Sequence, residues 1–220
     1  MIGKLSVAFF VAVCVSATHA EPYWVAWEGD TYPEDDGWER TAYGGGAERW
    51  FEDGSLVLDG LASTDISDFY RNQRPTAPNE GEVFVMEWRL RVDEVHGFAD
   101  PGVSITSEGQ AALTLVYTAN SIYSLGEGLW INFAPGTFHD YSLTSADLVT
   151  YTLHIDGQLA HTGQFDTTGW ESGVEWGDVG QGARSLSTWD YVRFGVVPEP
   201  GAGPLLGLAG LTGLTRRIQA

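Results

Sequence analysis

From Glu82 to Asp93, apolar and polar residues alternate. Phe84, Met86, Trp88, Leu90 and Val92 fall on one parity, and Glu87, Arg89, Arg91 and Asp93 on the other. A period of two over so long a run predicts a strand with one buried and one solvated face, as in an antiparallel sheet. The buried face of such a sheet needs a second layer against it. This one stretch therefore commits the chain to an architecture of packed sheets.

The rest of the chain agrees. Further short strands are expected at 55–59, 68–71, 103–106, 111–118, 121–125, 129–133, 140–145, 151–156, 158–163, 174–177 and 189–197. Tyr23 to Trp27 reads as an edge strand. The remainder of 21–50 reads as irregular, with Glu34-Asp35-Asp36-Gly37 and Gly44-Gly45-Gly46 as loop signals. Asp156-Gly157 is a hairpin turn, because both residues tolerate positive φ. Two-residue and bulged closure of that hairpin place Leu159 on different faces, and the sequence leaves both open. No amphipathic helix and no internal repeat is evident. About a dozen short strands with Gly-rich turns predict an all-β fold, an antiparallel β-sandwich of jelly-roll type.

The second half of the chain carries a resemblance. His139-Asp140-Tyr141-Ser142-Leu143, then Tyr151-Thr152-Leu153-His154-Ile155-Asp156-Gly157, then Trp189-Asp190-Tyr191-Val192-Arg193-Phe194 is similar to the concanavalin A-like (laminin G-like) jelly roll. The resemblance implies a hairpin opened by Asp-Gly and a closing strand that returns near the N-terminus. It places one such domain over residues 21–196. This fold hosts lectins, glycosidases and adhesion modules alike.

Both ends of the chain read as addresses. Residues 1–20 have a basic start at Lys4, an apolar core from Leu5 to Val15 and a small residue at Ala20. This is the pattern of a secretory signal cut between Ala20 and Glu21 by signal peptidase. At the other end stands Val197-Pro198-Glu199-Pro200, then an apolar run, then Arg216-Arg217. As a helix, 204–218 would span roughly 22 Å, short of the roughly 20 residues that cross a bilayer. The arginine pair favours the cytoplasmic side. The segment 197–220 resembles a PEP-CTERM sorting signal. That resemblance implies recognition by exosortase, a transient inner-membrane intermediate through a short transmembrane helix, and delivery to the cell surface or extracellular matrix of a Gram-negative bacterium.

Charge narrows the partners. The chain has 11 basic and 30 acidic residues, for a net charge of −19. Lys4, Arg216 and Arg217 lie outside the domain, and no acid lies in 1–20 or 201–220. So acidic a domain repels nucleic acid. Cys14, the only cysteine, leaves with the signal, so the exported domain has neither disulfide nor thiolate chemistry.

Candidate sites follow from residue type. Calcium takes oxygen ligands from loops, which makes Asp35, Asp36, Asp65 and Asp68 its candidates. Trp130, Trp170 and Trp176 are candidates for stacking on sugar rings, although aromatics of a sandwich mostly fill its core. His154 and His161 flank the Asp156-Gly157 turn as cross-strand neighbours, but a zinc site needs a third ligand. Glycosidases of the resembling fold carry a Glu-x-Asp-x-x-Glu pattern on one strand. It is absent here, as are a Gly-x-Ser-x-Gly elbow and a His-Glu-x-x-His helix. The expectation is a non-catalytic exported surface or matrix protein, with extracellular polysaccharide as its candidate ligand. The alternatives are a glycan-active enzyme on the same jelly roll, or a purely structural matrix protein.

Overall fold

A computed structural model describes residues 23–62, 67–97, 101–107, 111–118, 120–166, 172–178 and 184–199. The expected signal at 1–20 with its Ala20/Glu21 junction, the 201–220 run with Arg216 and Arg217, and Asp65, Trp170 and Pro200 lie outside these residues. No helix among the described residues is long and apolar enough to cross a membrane.

Fifteen strands are described: β1 Tyr23–Trp27, β2 Glu39–Tyr43, β3 Glu48–Glu52, β4 Ser55–Asp59, β5 Ser67–Asn72, β6 Glu82–His96, β7 Gly102–Ser107, β8 Ala111–Tyr117, β9 Ser121–Ser124, β10 Leu129–Asn132, β11 His139–Ser145, β12 Thr150–Ile155, β13 Gln158–Gln164, β14 Gly173–Asp178 and β15 Arg184–Pro198. They form two antiparallel sheets. One runs β13-β12-β11-β6-β15-β4-β3, with β1 also on β15; the other runs β10-β9-β8-β7-β14-β5-β2. The fold is the expected jelly-roll sandwich.

Two corrections concern the N-terminal third and the closing strand. Glu39–Tyr43 and Glu48–Glu52 are strands rather than irregular chain. They are edge strands, mostly exposed, so their composition carries no alternation to read. β15 starts at Arg184 and runs through Val197 and Pro198, which pair with Val83 and Glu82. The Glu199 amide then donates to the Gly81 carbonyl at 2.9 Å. Val197, Pro198 and Glu199 thus continue the sheet directly.

The alternation of β6 is realised in full. Phe84, Met86, Trp88, Leu90 and Val92 are all buried in the core between the sheets. Asp156 and Gly157, at φ 52° and 74°, close a two-residue turn that pairs Ile155 with Gln158. A register shift at Leu153/His154 then sets His154 opposite Leu159 and His161 opposite Leu153. The two histidines are therefore not cross-strand neighbours, which corrects that expectation.

Tryptophan fills the centre. Trp176 packs against Trp27 at 4.8 Å, Trp189 at 4.9 Å, Trp38 at 5.8 Å and Tyr70 at 4.7 Å between ring centroids. Aromatic pairs at such separations add about 0.5–1.5 kcal/mol each beyond area burial. With no disulfide, this cluster is a principal tie between the sheets.

The open edge of the sandwich is closed by one carboxylate. Glu127, in the β9–β10 turn, accepts from the Tyr151 hydroxyl at 2.6 Å, the Gln164 amide at 2.9 Å and His161 Nε2 at 3.2 Å. Burial by itself would raise the Glu127 carboxyl, but these donors outweigh it and hold the group below the usual range. Gly163 leaves the room: a Cβ there would collide with Glu127 and the Tyr151 ring. A carboxylate with a depressed folded pKa contributes stability above its unfolded value of about 4.3, and that contribution is lost as pH falls through the folded value. Gly163→Ala should cost about 1–3 kcal/mol in urea unfolding at neutral pH. Glu127→Gln should flatten the acid side of the stability–pH curve. An unchanged acid limb in Glu127→Gln would refute the assigned role.

Candidate active site on the outer face of the larger sheet

The polar parity of β6 points away from the core. Its register builds the site row by row. Arg89 lies opposite Asp140 of β11 on one side and Tyr191 of β15 on the other. Arg91 lies opposite Thr188. The β6–β15 ladder slips twice, at Leu186/Ser187 and at Trp189/Tyr191. The first slip leaves Asp93 as the extra residue on β6, and the second leaves Asp190 as the extra residue on β15. Bulges re-aim side chains out of the regular alternation and are frequent beside active sites. Here the second adds Asp190 to a face that already carries Asp93 by its parity.

The central group is Arg89. Its Nε lies 3.8 Å from Asp140 Oδ1 and 3.6 Å from Asp190 Oδ2. A nitrogen shared at those distances keeps the two carboxylates within the roughly 9.5 Å that glycoside-cleaving acid pairs span. Each acid is also oriented by a hydroxyl. Tyr191 donates to Asp140 Oδ1 at 3.0 Å, and Ser55 donates to Asp190 Oδ1 at 3.1 Å. Arg91 pairs with Asp93 at 2.8 Å and donates to Thr188 at 3.1 Å, while Thr188 donates to Asp93 at 3.1 Å. The Phe138 ring lies over both guanidinium groups, 5.2 Å from Arg89 and 5.1 Å from Arg91.

The loop that carries Phe138 is anchored. His139 Nδ1 meets Asp156 at 2.7 Å, its Nε2 meets the Ala134 carbonyl at 2.8 Å, and the Gly136 amide donates to the Val92 carbonyl at 3.2 Å. Between this loop and the β3–β4 turn is a cavity of about 460 Å³. It is lined by Glu52, Asp53, Ser55, Arg89, Arg91, Phe138, Thr188 and Asp190. A cavity of about 500 Å³ lies at the sheet edge beside Asp36, Glu39 and Arg71. There Arg71 pairs with Glu175 at 2.8 Å. The smaller cavity is the better site because it joins space to paired acids.

Burial, the bond to Asp140 and that carboxylate's charge push the Tyr191 phenol up to about 12. Tyr191 is therefore a neutral hydrogen-bond donor at physiological pH rather than a base. Asp140→Asn removes a charge and a charged acceptor, so it should lower the Tyr191 transition. Ultraviolet titration of the Asp140→Asn protein, with and without Tyr191→Phe, isolates that transition for comparison with the same difference in the wild-type background. A Tyr191 transition unmoved by Asp140→Asn would show that the hydrogen bond does not form.

The residues singled out from sequence fare differently. Trp130 is 47 % exposed on β10, with its ring 4.6 Å from that of Tyr123, away from the acid pair. Trp176 is wholly buried in the tryptophan cluster, which corrects its reading as a sugar platform. Asp68 is buried and held by Arg40 and the Ala47 amide, which corrects its reading as a calcium ligand. Asp35 and Asp36 sit in the 3₁₀ turn Pro33–Asp36, where Asp36 accepts from Thr31 at 2.7 Å. No group of three metal-ligating side chains occurs among the described residues. Asp140 and Asp190 were visible only as parts of the resembling strands. Asp190 does have a sequence signal: the inward residues Trp189, Val192 and Phe194 are spaced three and then two apart, and an odd step in a period-two strand marks a bulge.

No protein-family model matches the chain, and no curated protein matches it in sequence. Solved structures share its fold. A carbohydrate esterase of the Shiga toxin-encoding bacteriophage phi24B superposes with a TM-score of 0.57 at 13 % identity, over 79 % of this chain and 97 % of its own. A prokaryotic β-1,3-1,4-glucanase (lichenase) from a mouse hindgut metagenome gives 0.51 at 14 % identity, over 78 % and 98 %. A cellulose-induced protein gives 0.50 at 13 %, over 73 % and 90 %. The expectation of a non-catalytic domain rested on missing linear motifs, and these neighbours correct it. Proteins with this fold over nearly their whole length include an esterase and a glucanase. The chain is a jelly roll of the kind on which carbohydrate-active proteins are built.

Proposed function

We propose that this chain is a glycan-active enzyme that cleaves a glycosidic bond at the Asp140–Asp190 pair. The observation that carries the reading is the convergence of both carboxylates on Arg89 beside a cavity, one of them delivered by a bulge. Glycoside cleavage needs two acids flanking the bond: one protonates the leaving oxygen, and the other acts as base or nucleophile. Arg89 offsets part of their mutual repulsion, so both are held close without leaving the surface. Tyr191 and Ser55 position the pair by hydrogen bonds and transfer no proton. The named activities of the esterase and the glucanase support a carbohydrate substrate by fold alone.

Asp140→Asn and Asp190→Asn are isosteric. Each should lower turnover of a responsive polysaccharide by about 10²-fold or more with little change in thermal midpoint. Reducing-end release from a polysaccharide panel is the assay. Full activity in both variants, or no release by the wild type on any member of the panel, would overturn the reading.

Export belongs to the same proposal. The signal-like 1–20 segment and the tail that resembles a PEP-CTERM signal support secretion to the cell surface or matrix, with signal peptidase and exosortase as processing partners. Intact mass measurement of the mature protein should give Glu21 as its first residue and an end near Glu199-Pro200. A mature protein that keeps both ends would overturn this part.

A further inference from the structure

The charges of the cavity do not balance. Arg89 and Arg91 are its basic lining residues, and Glu52, Asp53 and Asp190 its acidic ones. Behind them Asp140 faces Arg89, and Asp93 pairs with Arg91. The surplus negative charge collects on one rim, the β3–β4 hairpin. Glu52 is largely exposed, with its carboxylate 3.7 Å from Arg91 Nη2. Asp53 and Gly54 form the two-residue loop at φ 52° and 83°, the geometry of a type I′ turn. This fixes Asp53 at the mouth.

Arg89 is the opposite case. Its Nε is buried without a hydrogen-bond partner among the described residues, and its two carboxylates stand at 3.6 and 3.8 Å, beyond hydrogen-bond length. Its Nε–H is a donor for which the described residues supply no acceptor. A sugar hydroxyl can accept from Arg89 and donate to Asp190 at once. A sugar carboxylate can only accept, and would have to enter past Glu52 and Asp53.

We infer that the cavity takes an uncharged, hydroxyl-rich pyranose chain, and that Glu52 and Asp53 determine specificity by repelling anionic glycans such as uronate polymers. This rests on the proposed function and names its substrate class. The repulsion is long-range between exposed groups, so salt weakens it: the screening length is about 30 Å at 0.01 M and about 3 Å at 1 M.

The test uses the intact protein with two probes of matched length, β-1,3-1,4-glucan oligosaccharides and oligoguluronate. Turnover and equilibrium binding are both measured at low and high salt. Wild type should favour the glucan at least tenfold at low salt. The double variant Glu52→Gln/Asp53→Asn should narrow that ratio about tenfold, and high salt should erase most of the difference between the two proteins. Asn is well suited to the positive φ at 53 and Gln is isosteric with Glu, so the hairpin is retained; thermal midpoints check this. Preference for the uronate, or a ratio unmoved by the double variant, overturns the inference while turnover upholds the proposed function. Selective glucan binding without turnover does the reverse. Binding of neither probe overturns the inference, and the polysaccharide panel then decides the proposed function.

Discussion

The pairing of β6 with β15 is the constraint on which the rest depends. Both strands are fifteen residues long and lie side by side through the middle of the larger sheet. One face of the pair supplies Phe84, Met86, Trp88, Leu90, Trp189, Val192 and Phe194 to the core. The other supplies Arg89, Arg91, Asp93, Asp190 and Tyr191 to the site. Because side chains alternate between the two bulges, a slip of one residue would exchange these faces. The buried face prevents it, since a slip would expose Trp88 and bury two guanidinium groups. Register, core and site are therefore a single specification.

The second bulge shows how a regular sheet acquires a local function. The parity of β6 by itself gives this face Arg89, Arg91 and Asp93. The slip at Trp189/Tyr191 adds Asp190 beside Tyr191 without disturbing the buried face. The result is a compact field in which each cation is shared by acids and each acid is oriented by a donor. Exposed ion pairs of this kind contribute little to stability, typically 0–1 kcal/mol. Their geometry is held by the backbone rather than by their own attraction, which suits a site that must exchange protein contacts for ligand contacts.

The fold was legible where burial imposes a period. The alternation of 82–93 and the Asp156-Gly157 turn follow from local rules that tertiary packing reinforces, whereas the return of the closing strand to pair with β1 was legible only through the resemblance. β2 and β3 were not legible, because edge strands with little burial place no demand on residue type. The site was legible only in part. Arg89, Arg91 and Asp93 appear as a polar face, which is also what a plain solvated surface looks like. Asp140 and Asp190 are fifty residues apart in sequence and meet only through register. Trp176 and Asp68 misled for the same reason in reverse: a residue type that suits a binding role suits the interior equally well once stacking or an ion pair satisfies it.

The last strand has a mechanical consequence. β15 runs unbroken to Pro198, and the Glu199 amide is still tied to Gly81. Tension applied beyond Pro200 would therefore act along the axis of a central strand, clamped by β6 on one side and by β4 and β1 in succession on the other. Its ladder would be loaded in shear, with many hydrogen bonds strained together, rather than peeled one at a time as at a sheet edge. A domain tethered at that end would hold its shape under drag.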